Sequence, residues 1–234
     1  MSKLAKALTA AAGNAGGESL YVEDVFSTYL YTGTATAQTI TNGIDLAGEG
    51  GMVWFKSRSN TSNNQIIDTE RGDTKALLVD TSLAELSISA IPFLSNGFQV
   101  VTGAGETNTS GRTYASWTFR KAEKFFDVVT FTAPSSGGAT VSHNLGSVPA
   151  CIIIKATSTT GAWYVYHESV STKYLQLHST AAASSFQAFT NVTDSSFDVA
   201  GGLLSANATY VAYLFASDAG GFGDDGSESI IKCG

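Results

Sequence analysis

The sequence matches itself when it is shifted by about one hundred residues. The matches fall in five places and keep the same order in both copies, whereas chance produces one such match but hardly five. The paired segments are 26–33 with 126–133, 52–56 with 151–155, 74–77 with 172–175, 97–100 with 196–199, and 113–119 with 209–215. A repeat of this length is too long for a solenoid unit and suits a sandwich domain with its own core. The sequence therefore predicts two copies of one domain.

Both copies consist of short apolar runs separated by glycine, asparagine, aspartate and serine. These runs have the length of strands and are rich in β-branched and aromatic residues. The clearest are 52–55, 76–79, 98–101, 151–154 and 210–215. No stretch in the middle of the chain has the spacing of a long amphipathic helix. We therefore predict an all-β fold of two tandem β-sandwich domains, jelly-roll-like, that arose by internal duplication.

The ends of the repeat set the predicted domain boundaries. The first β-sandwich covers residues 25–122 and the second covers 123–218, with almost no linker between them. Domains joined so closely are expected to pack against each other. Residues 1–24 precede the repeat as an N-terminal docking segment with a glycine-rich joint, and residues 219–234 follow it as a flexible acidic tail.

The N-terminal segment has the features of one short helix. Good helix formers dominate residues 3–12, Ser2 is a reasonable N-cap, and Gly13 is a stop signal at the start of the joint over 13–17. A secretory signal is the alternative, but Lys6 interrupts its apolar stretch. Because an isolated helix this short is marginal in water, the segment is either frayed or ordered by a partner.

The charge of the chain argues against several classes of partner. The 13 basic and 20 acidic side chains leave a net charge of −7, whereas sequence-independent binding of nucleic acid requires a basic stripe. No run approaches the ~18 apolar residues that a membrane span needs. Cys151 and Cys233 are too few for a disulfide scaffold. We predict neither nucleic-acid binding nor membrane insertion.

Basic residues are distributed unevenly between the two copies. Up to Asp218, the second copy keeps only Lys155 and Lys173. The first copy and its boundary carry Lys56, Arg58, Arg71, Lys75, Arg112, Arg120, Lys121 and Lys124. Neutral drift of solvated faces is one explanation. Crowding of the second domain against neighbours in an assembly is the other, because charge is depleted at the core of protein contacts.

We find no catalytic constellation in the sequence. His167 and Glu168 lack the second histidine of the metalloprotease motif, and no Gly-x-Ser-x-Gly elbow occurs. The remaining histidines, His143 and His178, are separate from His167 along the chain. Residues 221–226 match the dinucleotide fingerprint by letter only, because two carboxylates there repel a pyrophosphate and no βαβ unit surrounds them. We predict that the protein is not an enzyme, with no catalytic, cofactor-binding or metal-binding residues and no cofactor.

Acidic residues cluster at Asp68, Glu70 and Asp73. Oxygen-rich loops of this kind can hold Ca²⁺, and a glycosidase pair of carboxylates can be drawn from the same residues. The ordinary alternative is a turn in which Arg71 neutralises its neighbours. The corresponding segment of the second copy, 166–171, loses two of the three carboxylates. The turn is therefore the favoured interpretation.

The aromatic residues permit two interpretations. Trp54, Trp117 and Trp163 would suit a sugar-stacking platform, but aromatic side chains inside strands are more often core. Trp54 and Trp117 align with Ile153 and Tyr213 of the second copy, which favours the core. Four Asn-x-Ser/Thr sequons occur, at Asn60, Asn108, Asn191 and Asn207. Because the chain has no convincing signal peptide, we interpret them as ordinary loop sequences and not as glycosylation sites.

Several segments resemble the repeated β domain of tailed-bacteriophage virion proteins, familiar from marine and cyanobacterial phages. In the first copy these are 50–58, 67–72 and 108–117, and in the second they are 161–167, 174–180 and 209–216. The resemblance covers roughly residues 25–222. It implies a structural and tail-fibre-like family without catalytic residues.

In that family the domain recurs in long chains, often in several copies, whereas this chain has two copies and no shaft. The resemblance therefore implies a compact virion structural protein, most naturally a tail-associated, appendage or adaptor subunit. The alternatives are a capsid decoration protein and a host-receptor module that binds a glycan through loops at one end; a small hydrolase ranks behind both. The expected partners are other virion proteins and symmetry-related copies, with a host-surface glycan under the receptor alternative. The expected location is the virion, assembled in the host cytoplasm.

Overall fold

The computed structural model describes residues 19–103 and 106–234. Strands hold 39% of the described residues and helices 5%, so the predicted all-β class is confirmed. The helix predicted over 3–12 and the joint over 13–17 lie outside the described residues. Within the described ranges, no helix is long and apolar enough to cross a membrane.

The first half forms a six-stranded sheet and a three-stranded sheet, ordered β1-β9-β3-β4-β5-β6 and β2-β8-β7. Its strands are β1 (Phe26–Thr32), β2 (Gln38–Thr41), β3 (Gly51–Ser57), β4 (Gln65–Asp68), β5 (Lys75–Leu78), β6 (Leu86–Ser87), β7 (Phe93–Leu94), β8 (Gly97–Val100) and β9 (Thr113–Arg120). Two one-turn helices, α1 (Val22–Val25) and α2 (Leu46–Glu49), precede β1 and β3.

The second half forms a five-stranded sheet and a three-stranded sheet, ordered β10-β17-β12-β13-β14 and β11-β16-β15. Its strands are β10 (Phe126–Thr132), β11 (Ala139–Ser142), β12 (Cys151–Ala156), β13 (Trp163–His167), β14 (Leu175–Gln176), β15 (Phe189–Thr190), β16 (Ser196–Val199) and β17 (Thr209–Phe215), with a 3-10 turn at Glu168–Val170. In both halves the last strand pairs antiparallel with the first. Apart from β6, the two strand orders correspond position by position.

The strands form where apolar and polar residues alternate or where the sequence is continuously apolar. All five apolar runs named above overlap strands, namely β3, β5, β8, β12 and β17. Glycine is required where two backbones approach closely. Gly51 opens β3 with a φ of +150°, and a Cβ there would lie 2.1 Å from the carbonyl oxygen of Phe119.

Three hydrophobic clusters hold the four sheets together. One lies inside the first half and includes Phe55, Phe98 and Tyr114. A second lies inside the second half and includes Ile152, Phe197 and Leu214. The third, which we call the central cluster, combines side chains of both halves: Val25, Met52, Ile66, Leu77, Val79, Phe125, Phe126, Val128, Ile153, Trp163, Val165, Val211, Tyr213 and Phe222. The two large sheets therefore face each other in the middle, with a small sheet on either side.

Residues 219–234, predicted as a flexible acidic tail, lie packed against the body of the protein. Phe222 is 1% exposed, and its ring centroid is 6.3 Å from that of Phe125. The amide of Gly223 donates to the carbonyl of Leu20 at 2.9 Å, and the Tyr21 hydroxyl donates to Asp224. The segment is acidic, as predicted, but one aromatic side chain anchors it in the central cluster.

Candidate functional site

The two halves meet at a buried polar bridge formed by Asp68, Arg71 and Tyr213. Asp68 ends β4, and its Oδ1 accepts the Arg71 amide at 2.9 Å, which closes the turn after that strand. Its Oδ2 accepts the Arg71 Nε at 2.7 Å and the Tyr213 hydroxyl at 2.7 Å. The carboxylate is fully buried. Tyr213 of β17, in the second half, and Arg71, in the turn of the first half, therefore donate to the same oxygen of Asp68.

Arg71 makes further contacts inside the first half. Arg71 also donates from Nη2 to the Ile66 carbonyl at 3.2 Å, and its Nη1 lies 3.5 Å from Glu85 Oε2. Burial raises the pKa of Tyr213 well above its ordinary value, so the phenol stays protonated and acts as a donor. Arg71 Nη1 forms no hydrogen bond with the described residues, but the other polar atoms of the buried pair are bonded within the first half or to Tyr213 of the second. We call this arrangement a structural lock, because breaking one member of a buried pair leaves the other without a partner.

The three carboxylates of the acidic cluster lie in separate local contacts. Asp68 is committed to Arg71 and Tyr213, and Glu70 accepts Lys121 Nζ at 2.8 Å. Asp73 supplies its carbonyl to the Ile91 amide at 2.8 Å. Over the described ranges, no group of three or more His, Cys, Asp or Glu side chains could hold a metal ion. The turn neutralised by Arg71 is the arrangement that the structure contains.

Two further side chains of the second half donate across the same interface. Trp163 is fully buried, and its Nε1 lies 3.1 Å from the carbonyl oxygens of Leu78 and Thr81. Lys155 Nζ donates to the Ser82 carbonyl at 3.3 Å and to that of Ala156 at 3.0 Å. Burial lowers the pKa of Lys155 to about 8. The carbonyls of the segment after β5 are therefore held by the second half.

Sequence reasoning singled out Trp163 but missed the role of Lys155. The signal available in the sequence was the alignment of Lys155 with Lys56. In the structure Lys56 has a similar contact, since its Nζ donates to the loop carbonyl of Ser62 at 2.9 Å. A lysine that recurs at aligned positions of two otherwise apolar segments indicates a bonded position rather than a solvated one.

The three histidines have local structural contacts and lie in separate places. In each case Nδ1 accepts a backbone amide: Leu145 donates to His143 at 3.2 Å, Ser169 to His167 at 3.3 Å, and Trp163 to His178 at 3.4 Å. The Ser169 hydroxyl lies 2.8 Å from the same nitrogen of His167. This pair caps the 3-10 turn, since its two members are only two residues apart.

The tryptophans divide into two environments. Trp163 is core, whereas Trp54 and Trp117 are only half-buried and pair edge-to-face across β3 and β9 with centroids 6.5 Å apart.

Among the sequons, Asn108 is buried. Its side chain accepts the Thr34 amide at 2.9 Å and donates to the Thr36 carbonyl at 2.6 Å, so it organises a loop.

Among the described residues, one exposed edge with apolar side chains lies on α1 and β1, where the consecutive residues Tyr29 and Leu30 lie on opposite faces of the sheet. We call it the β1 edge surface: Val22, Thr28, Tyr29, Leu30 and Thr32. Leu30 is 57% exposed, Val22 45% and Tyr29 36%. On one side β1 pairs with β9 over its whole length, and on the other side no described strand pairs with it. Sequence reasoning used this segment only to establish the repeat and missed it as a surface.

One comparison with known proteins finds a match. The model of a family described as Domain of unknown function (DUF7483) matches residues 22–228, which spans both halves. No curated protein and no solved structure matches the chain.

Proposed function

The chain belongs to the DUF7483 family, and from that premise we propose that it is a bacteriophage virion structural protein that acts by assembly with other proteins. The most natural position is a tail-associated, appendage or adaptor subunit. The β1 edge surface is the observation that carries the proposal. Of eight exposed large apolar side chains among the described residues, three lie within residues 22–30, a stretch that includes the end of the N-terminal segment and most of β1. Exposed apolar side chains beside an unpaired strand edge are suited to an interaction site.

We also propose that the two halves are tandem β-sandwich copies from one duplication. The corresponding strand orders support this, and so do bonds that recur at aligned positions. Tyr114 accepts the Thr109 amide at 3.0 Å, and its counterpart Tyr210 accepts the Ser205 amide at 2.7 Å. Each of these tyrosines also stacks on the first strand of its half, with ring centroids 5.1 and 5.4 Å apart. Recurring contacts of this kind are expected from a common ancestral domain.

The rigid connection between the halves suits a structural role. The central cluster and the polar bridge join them without a linker, so the chain presents its outer surfaces in one fixed geometry. The low number of basic residues in the second half is also favourable, because charge is depleted where proteins make close contacts. The proposed partners are other virion proteins and symmetry-related copies.

Gold-labelled antibody against this chain, applied to intact phage particles and viewed by electron microscopy, tests the proposal. We expect label on the tail or its appendages. Label over the head would replace the tail position with capsid decoration. Absence of label from particles, together with absence of the chain from denatured virions in mass spectrometry, would overturn the virion role.

A receptor-binding role gives a different result in solution. Purified protein that binds host cells, and loses binding when surface glycans are removed, would support host recognition. A subunit that acts only through assembly leaves the cells unlabelled.

A further inference from the structure

Among the described residues, the outer edge of β1 lacks the features that usually protect an exposed strand. Natural sheets protect their edges with very short strands, charged side chains, proline or bulges. The opposite outer strands of the two large sheets, β6 and β14, have two residues each. By contrast, β1 has seven residues, Phe26–Thr32, without charge, proline or glycine. Its register with β9 is unbroken from end to end.

The outer strand of the second half shows how the same position is protected elsewhere. β10 corresponds to β1 in the strand order, and it carries Asp127 as its second residue. The Asp127 Oδ2 accepts the Asn144 amide at 2.8 Å, which ties a neighbouring loop to the beginning of the strand. In β1 the aligned residue is Ser27, and β1 is the longest outer strand left open and uncharged.

The last five residues of β1 read the same in both directions. Residues 28–32 are Thr-Tyr-Leu-Tyr-Thr, with Leu30 at the centre. When two such strands pair antiparallel about a twofold axis at Leu30, each Thr28 lies opposite Thr32 of the other copy and each Tyr29 lies opposite Tyr31. Threonine pairs are favourable cross-strand neighbours, whereas Tyr31 is 7% exposed and already stacks on Tyr114 of its own half. A twofold contact requires one surface that complements itself, which the threonines and Leu30 provide.

We propose that β1 pairs antiparallel with β1 of a second copy, in register about Leu30, and so joins the two six-stranded sheets into one continuous sheet. The pairing satisfies the free backbone groups of both edges, covers Leu30, and brings no charge opposite a like charge. It deepens the assembly role proposed above by naming the contact between copies.

Site-specific cross-linking of the full chain tests both the partner and the register. Variants are made in a Cys151→Ser, Cys233→Ser background to remove the two free thiols. Leu30→Cys is expected to form a disulfide-linked dimer under mild oxidation, because directly opposite Cβ atoms lie about 4.5–5.5 Å apart. Thr28→Cys is not expected to link to itself, but it should link to Thr32→Cys when the two proteins are mixed.

The oligomeric state supplies the second measurement. Analytical ultracentrifugation should show a dimer that Leu30→Lys converts to a monomer, since two ammonium groups would meet at the axis. Val148→Lys is the matched control, because Val148 is 55% exposed and lies outside the strands; it should leave the dimer intact. A monomeric wild type that links at none of these positions would overturn the pairing, as would a dimer that survives Leu30→Lys. Neither result affects the virion role, which is measured independently on particles.

Discussion

Asp68 has a structural role, although its residue type and sequence context suggest several kinds of chemistry. It acts together with Arg71 and Tyr213. Asp68 has the residue type of a calcium ligand or a catalytic carboxylate. In the structure its Oδ2 accepts buried hydrogen bonds from the Arg71 guanidinium and the Tyr213 hydroxyl. The same carboxylate also shapes the turn after β4. Its chemistry is therefore used to join the halves.

Tyr213→Phe should lower the free energy of unfolding by about 1–3 kcal/mol, because Asp68 loses a buried hydrogen bond while the ring keeps its packing. Urea denaturation followed by tryptophan fluorescence measures the change. Tyr164→Phe is the matched control, since Tyr164 is a half-buried tyrosine in the same large sheet. Equal effects of the two substitutions would contradict a special role for the Tyr213 hydroxyl.

Lys155 should make stability rise with pH in the alkaline range. Burial lowers its pKa in the folded state to about 8 from the ordinary 10.5, so between these values the unfolded chain binds more protons than the folded one. Stability due to Lys155 therefore increases from about pH 8 to about pH 10.5, and the full cost of burying the charge is present below that range.

The stability difference between Lys155→Met and the wild type should therefore shift in favour of the wild type as pH rises from about 7 to about 10. The change is at most ~1.4 kcal/mol per pH unit. Denaturation curves at several pH values measure it, with the exposed Lys173→Met as control. Parallel pH profiles for Lys155→Met and the wild type would show that the pKa of Lys155 is not lowered.

At the level of elements, alternation along single strands builds two cores at once. In β17, Tyr210, Ala212 and Leu214 enter the core of the second half. Val211 and Tyr213 enter the central cluster. A strand that is apolar on both faces requires cover on both sides, which the small sheet and the other half provide. The C-terminal segment completes this cover with Phe222.

Phe222→Ala should cost about 3–5 kcal/mol of stability, as expected for a fully buried phenylalanine. It should also release residues 219–234 from the body, because this side chain anchors them beside Phe125. Chemical denaturation measures the first effect, and hydrogen exchange of the segment measures the second. Phe186→Ala, at a phenylalanine that is 45% exposed, is expected to change neither.

On the scale of the whole molecule, the central cluster makes each half depend on the other. Phe119 of β9 has its ring centroid 6.1, 5.6 and 5.6 Å from those of Phe125, Phe126 and Phe215. Separation of the halves would expose these rings together with the polar bridge. The cost of that exposure couples the two halves energetically.

The chain should therefore unfold in a single cooperative transition, although each half has its own pair of sheets. Differential scanning calorimetry checks this through the agreement of the calorimetric and van't Hoff enthalpies. Two resolved transitions would mean that the halves are energetically independent.

Deletion of residues 1–17 should leave the melting temperature unchanged and weaken incorporation into phage particles. The deletion ends before Leu20, whose carbonyl accepts the Gly223 amide, so the contact with the C-terminal segment is kept. Calorimetry measures the first effect, and quantitative blotting of purified particles measures the second. Normal incorporation of the truncated protein would show that these residues are not needed for docking.

The sequence by itself determined the all-β class and the positions of the main strands. Apolar runs, β-branched residues and intervening turn formers act over a few neighbouring residues, so they can be read without knowing the fold. The same local signals identified the Arg71 turn as the favoured interpretation of the acidic cluster.

Only the tertiary structure decided which faces meet and what each polar group does there. Asp68 and Tyr213 are separated by 145 positions in the sequence, and no local pattern specifies that pair. The burial of Lys155, the anchoring of Phe222 and the exposure of Leu30 likewise depend on how the sheets stack. Packing between distant segments sets the solvent exposure of a side chain. The local sequence sets only which side chains share one face of a strand.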